Sequence, residues 1–235
     1  MFNPHPRIQV LPITPQHACY VIDDALLQPE RWVDHAVTHA ADFEDSPHNA
    51  YPGPELRMPE AFSTQLDAFF AAHVRRLLGA RRTQRMYSRM AITTQEAATL
   101  QPRQWLCHID RLEMDAGQSV AASVLYLFGD ASLGGTSFYV PTRPLPEIAQ
   151  LVQDSGAMDA VAFTAKYGLQ PGYMTASNDW FHKVLTVPAR WNRLIFYPGT
   201  VFHCGEVSAP ERLGADPRTG RLTLNGFFLC RRALA

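Results

Sequence analysis

From Arg85 to the C-terminus, apolar and polar residues alternate in short runs broken by Gly, Pro and Asp, and a period of two predicts β-strands. The runs are Met86 to Thr94, Gln104 to Arg111, Ser119 to Phe128, Thr136 to Val140, Lys183 to Val187, Arg193 to Tyr197, Thr200 to Cys204 and Arg221 to Cys230. Before Arg85 the period is different. Phe62, Leu66, Phe69, Phe70, Val74 and Leu77 recur at helical spacing, predicting a helix from Pro59 to Leu78 whose apolar stripe packs on a sheet and which Gly79 ends. A second helix fits Leu27 to Ala41, with Pro29 in its first turn, after a short strand from Cys19 to Asp23. The first sixteen residues carry four prolines and read as an extended arm or edge segment. Residues 42–59 read as loop, punctuated by Ser46-Pro47 and Tyr51-Pro52-Gly53-Pro54. Between Pro144 and Tyr167 the helical period returns, with a break near Gly156. The pattern predicts a mostly β protein with supporting helices (α+β), a sandwich or jelly roll in one domain spanning 1–235. Residues 17–84 are the helical support, residues 85–232 the β core, and 141–182 an insertion in it.

Composition narrows the partners. Apolar residues make up 46%, charged residues 18%, and the net charge is -1. That balance gives no electrostatic reason to expect nucleic acid or a membrane surface. The arginines at 75, 76, 81, 82, 85 and 89 form one basic cluster, read as a solvated helix end and exit loop. Four scattered cysteines fit a reducing compartment. With neither a secretory leader nor a membrane-length apolar run, the expected location is cytoplasmic.

Candidate chemistry centres on His108-Ile109-Asp110. Alternate residues of a strand share a face, so this tripeptide directs an imidazole and a carboxylate into one space. His203, in Val201-Phe202-His203-Cys204-Gly205, is the best third ligand; His182 is its nearest rival. Two imidazoles and one carboxylate form the facial triad of non-haem iron(II) oxygenases. On the last strand, Arg221, Thr223 and Asn225 share one face and Leu222, Leu224 and Phe228 the other. An arginine on an inner face is costly unless an anion meets it, and its planar fork suits a carboxylate, assisted by the Thr223 hydroxyl. Pairing with Glu206 is the structural alternative. Cys107 and Cys204 flank the two histidines, but alternation turns them away from the shared cavity, against a zinc site.

His108-x-Asp110, then His203, then Arg221-x-Thr223 on a late strand resembles the iron(II)- and 2-oxoglutarate-dependent oxygenases, most nearly their prolyl-hydroxylase-like branch. Val124-Leu125-Tyr126-Leu127 followed by Gly134-Gly135-Thr136-Ser137-Phe138 is similar to that branch's tyrosine-bearing strand and Gly-Gly hairpin. The resemblance implies a double-stranded β-helix. It further implies Fe(II) held by His108, Asp110 and His203, and 2-oxoglutarate anchored by Arg221 with help from Thr223 and Tyr126. A small-molecule or peptide substrate would then be hydroxylated by dioxygen, with decarboxylation of 2-oxoglutarate to succinate. Halogenases of this fold lack the ligand carboxylate, which here is present as Asp110. Two features depart from the family: a long interval before Arg221, and the insertion, which could close over the site as a lid. A non-catalytic, cupin-like binding protein is the alternative function. Neither the substrate nor the oligomeric state is legible.

Overall fold

The computed structural model describes residues 1–45, 50–110 and 114–233. The Ser46-Pro47 turn signal and the Arg111 end of one expected strand lie outside the described residues. In order, the elements are β1 (Ile8–Thr14), β2 (His17–Ile22), α1 (Glu30–Thr38), β3 (Glu55–Arg57), α2 (Glu60–His73), β4 (Ala80–Thr93) and β5 (Gln118–Tyr126). They continue with β6 (Thr136–Pro141), α3 (Leu145–Ser155), α4 (Ala160–Tyr167), β7 (Phe181–Val187), β8 (Leu194–Pro198), β9 (Phe202–Gly205) and β10 (Arg221–Arg232). The described chain is therefore mostly antiparallel β with four α-helices. A seven-stranded sheet runs β1-β2-β8-β5-β10-β4-β3, and a three-stranded sheet runs β7-β6-β9.

Strand alternation decides what each sheet covers. Odd-numbered positions of β8 and even-numbered positions of β5 turn Ile195, Tyr197, Ala122 and Tyr126 toward the small sheet, where Phe138 and Val187 meet them. The opposite face carries Leu125, Phe196, Leu224 and Phe228, and it receives the stripe of α2. Phe70 of that stripe is fully buried, its ring 4.2 Å from that of Phe228. On the far side of the small sheet, α3 and α4 bury Ile148, Leu151 and Phe163 against Trp105, Tyr139 and Phe181. The two sheets are thus flanked by helices on both outer faces.

The helical period between Pro144 and Tyr167 forms two helices, α3 and α4, with the break at Gly156. Other boundaries moved. The sheet begins well before Arg85: β1, β2, β3 and the first part of β4 all precede it. The helix expected to reach Leu78 ends at His73, where the Arg75 N–H bonds the Phe70 carbonyl (2.8 Å) and widens the last turn. Gly79, at φ +67°, then turns the chain into β4.

The largest local difference concerns the strand expected from Gln104 to Arg111. Pro102 instead opens a single 3-10 turn, Pro102–Gln104, closed by reciprocal bonds between Gln101 and Gln104. The Trp105 indole then donates to the Leu100 carbonyl (2.9 Å), which ties the chain back on itself. Among the described residues of that stretch, only His108 makes a β-bridge, to His203.

Candidate metal centre and its cavity

That bridge suffices to bring the three expected ligands together. His108 and His203 exchange both backbone bonds, at 2.9 and 2.8 Å, so they are a directly opposed pair. Two residues on, the Asp110 N–H bonds the Gly199 carbonyl (2.8 Å). Bonds at alternate residues keep the period of two, and His108 and Asp110 face the same way without a full strand. One ligand atom from each of His108, Asp110 and His203 lies within 4.8 Å of the others. His203 Nε2 stands 3.6 Å from Asp110 Oδ2, and the two imidazoles are 4.5 Å apart by ring centroids.

The electrostatics suit a cation. His203 Nδ1 lies 2.8 Å from the Val201 carbonyl, which only accepts, so Nδ1 carries the proton and the Nε2 lone pair faces Asp110. Burial lowers the pKa of His203 to about 4 against the favourable pull of that carbonyl. His108 keeps an edge open to solvent, yet surrounding protein, with His203 second, lowers it to about 4. Both rings are neutral donors at neutral pH. Burial raises Asp110 to about 6, with His108 pulling the other way, and its Oδ2 has no hydrogen-bond partner. A buried carboxylate oxygen without a donor is costly, and a cation held here would satisfy it.

The same cavity is lined by Arg221 and Thr223 of β10. Register places Arg221 opposite Thr93 of β4, and Thr223 between Ala91 of β4 and Tyr126 of β5. Arg221 is 4% exposed. Its Nε donates to the Leu133 carbonyl (3.0 Å), Nη2 to the Gly135 carbonyl (2.8 Å) and Nη1 to Thr93 Oγ1 (3.3 Å). A guanidinium has five N–H donors, so one remains on each Nη. All three partners are neutral, and Glu206 is ion-paired with Lys183 instead (3.4 Å). The structural alternative of an Arg221–Glu206 pair is not what forms.

Tyr126 sits apart from these residues. It does not line the cavity; its buried hydroxyl donates to Thr136 Oγ1 (2.8 Å), and Thr136 does line it. His182 is exposed on β7, 3.4 Å from Ser177, away from the three ligands. Cys107 and Cys204 belong to the outer cluster with Tyr139 and Met174, but Cys204, against the expected alternation, also lines the cavity.

Several site residues escaped the sequence reading. Tyr197 lies edge-on to His203 at 4.7 Å. Arg89 lines the cavity while bonded to Glu55 (2.9 Å) and stacked over Phe227 (4.8 Å). Gly199 and Gly205 leave room: a Cβ at 199 would meet Asp110 Oδ2 at 2.9 Å, and one at 205 would meet an Arg221 Nη at 3.1 Å.

Comparison with known proteins adds three findings. The model of a family of unknown function (DUF6445) matches residues 4–228. No curated protein matches the sequence. Among solved structures, the non-heme alpha ketoglutarate dependent epimerase SnoN from nogalamycin biosynthesis aligns with 12% identity over 92% of this chain and 79% of its own, at a TM-score of 0.51. A Pseudomonas putida prolyl-4-hydroxylase aligns at 15% identity over 92% and 93%, with a TM-score of 0.46. HygX from Streptomyces hygroscopicus, crystallised with nickel and 2-oxoglutarate, aligns at 11% over 89% and 82%, also at 0.46. The likeness to SnoN is one of fold.

Proposed function

Because the chain belongs to the family of unknown function DUF6445, its chemistry has to be read from its own side chains, and we propose that it is an iron(II)- and 2-oxoglutarate-dependent oxygenase. One observation carries the reading: a single cavity joins a cation-ready triad to a buried arginine with two unused donors. On this reading the two sheets are a double-stranded β-helix, and residues 1–235 are one domain. The fold shared with SnoN supports it.

His108, Asp110 and His203 would hold the iron, for which two neutral imidazoles and a carboxylate are the fitting donor set. Iron with 2-oxoglutarate supplies dioxygen activation coupled to decarboxylation of the keto acid to succinate. The protein's part is position. The His203 proton stays on Nδ1, held by Val201, which keeps the ring oriented toward the metal. Arg221 offers its two remaining N–H groups to the distal carboxylate of 2-oxoglutarate. Thr223, whose Oγ1 accepts from Asn225 (3.2 Å) and makes only a long bond to the Ala91 carbonyl (3.5 Å), would turn that hydroxyl to donate beside it. Tyr126 acts one step back, as a positioning residue, since its hydroxyl donates to Thr136 Oγ1 and Thr136 lines the cavity. With Asp110 filling the third protein position, the outcome is hydroxylation of a small molecule or peptide.

The test is an anaerobic titration of apoprotein with iron(II), then 2-oxoglutarate, following the visible charge-transfer band of a metal-bound keto acid. His203→Ala should lose the metal. Arg221→Gln should keep it and weaken 2-oxoglutarate binding by about 2–5 kcal/mol, roughly 30-fold or more. Metal binding by the wild type with no band would sink the proposal.

A further inference from the structure

The cavity that holds the triad is lined by a second arginine besides Arg221, namely Arg89 of β4. Opposed residues of an antiparallel pair share a face, and register sets Arg89 beside Asn225, four residues along the strands from the Arg221–Thr93 pair. At about 3.3 Å per residue, the two arginines leave the sheet roughly 13 Å apart along the strands. Arg221 is the buried one; the Arg89 side chain is 23% exposed and within reach of solvent.

The two guanidiniums differ in what they leave free. Arg221 spends a donor on each of its three nitrogens. Of the five N–H donors of Arg89, one is spent: Nη1 donates to Glu55 Oε2 (2.9 Å). Its guanidinium lies over Phe227, 4.8 Å from the ring centre, and Phe227 stacks on Tyr87 at 4.9 Å. Nε is buried without a hydrogen-bond partner, and among the described residues nothing accepts from Nη2. Nε–H and the adjacent Nη2–H run parallel, so this unused edge is a fork that a carboxylate fits with two hydrogen bonds. A buried donor left unbonded is costly, and a carboxylate laid along that edge would satisfy it. The edge is close to the chemistry as well. Behind burial and the effects of the ligands on one another, the Arg89 charge acts on both His108 and Asp110.

We infer that Arg89 anchors the substrate, and that the substrate carries a carboxylate gripped by Nε and Nη2 beside the metal centre. The inference rests on the oxygenase reading and adds a substrate class to it. Arg221 and Arg89 then divide the two acids of the reaction, cosubstrate and substrate, between them on one polar face.

The probes are the straight-chain monocarboxylates from acetate to octanoate, each with its primary amide as an uncharged control of the same shape. They are added anaerobically to protein carrying iron(II) and saturating 2-oxoglutarate, and the charge-transfer band is followed. Hydrogen bonds to charged groups are worth about ten- to a hundredfold in affinity, so at least one acid should shift the band at a concentration about tenfold or more below that of its amide. Arg89→Gln should erase that preference and leave the starting band in place. Arg89→Lys, which keeps a cation for Glu55 but not the planar fork, should lose most of it. Glu55→Gln, which keeps an acceptor for Nη1, should retain it. Equal shifts by acid and amide, a preference that survives Arg89→Gln, or its loss in Glu55→Gln as fully as in Arg89→Gln would overturn the anchor and leave the cofactor reading intact. So would acids that act only by displacing 2-oxoglutarate and abolishing the band. Absence of the band in the wild type would overturn the cofactor reading, and the substrate class with it.

Discussion

Gly199 is where one missing methyl group matters most. Its carbonyl holds the Asp110 N–H, and a Cβ there would meet Asp110 Oδ2 at 2.9 Å and Val120 Cγ1 at 2.7 Å. The backbone there is not in the left-handed region, so the constraint is space and not torsion. In Gly199→Ala the added methyl crowds both Val120 and the Asp110 side chain, so the carboxylate has to shift from its place beside the imidazoles or the valine has to yield. Outer-shell changes of this kind cost about 10- to 100-fold in metal affinity. A Mn(II) titration should show that loss in Gly199→Ala while the circular dichroism stays that of the wild type; an unchanged affinity would mean that the valine yields instead or that Asp110 is not a ligand.

At the scale of elements, the long pair β4–β10 carries both the site and a directly opposed pair of like charges. Its inner end sets Arg221 opposite Thr93, while its outer end sets Arg231 directly opposite Arg82, both exposed. Like charges in direct register destabilise a sheet by about 0.2–1 kcal/mol, and salt screens them. Arg231→Glu should raise thermal stability at low ionic strength by that amount, and the gain should shrink as salt is added. The same pair shows how much could be read in advance. The polar face of β10 was legible because Arg221, Thr223 and Asn225 alternate with Leu222, Leu224 and Phe228 over an unbroken run. The start of β4 was not, since Arg81, Arg82 and Arg85 look like a helix exit until Cys230 and Arg231 are known to pair with that stretch. Nor was β3, three residues long and tied to β4 by the Glu55–Arg89 bond. His108-x-Asp110 was legible for its spacing, although the strand assumed around it shrank to one bridge. Tyr197, Thr93 and Gly199 enter the site through cross-strand register, which no local pattern encodes.

For the molecule as a whole, the proposed ligands should act as a clasp that ties the 108–110 segment to the three-stranded sheet. His203 belongs to the three-stranded sheet, and its bridge to His108 is the sole described β-pairing of the 108–110 segment. The apoprotein must hold two imidazoles and a carboxylate in that junction, with the His203 and Asp110 side chains buried, and desolvation opposes the charged form of each. A divalent metal converts this cost into coordination, and a dicarboxylate does the same for Arg221. Any ligand that binds only the folded state stabilises it by about 2.7 kcal/mol at a hundred times its dissociation constant. For a chain of this size each kcal/mol moves the unfolding midpoint by about 2–4 °C. Redox-inert Mn(II) at that excess should therefore raise Tm by about 5–11 °C, and 2-oxoglutarate should raise it further only when the metal is present. In Arg221→Gln the metal step should survive and the 2-oxoglutarate step should largely disappear. If Mn(II) left Tm unchanged, the three converging side chains would be a buried polar cluster and not a metal site.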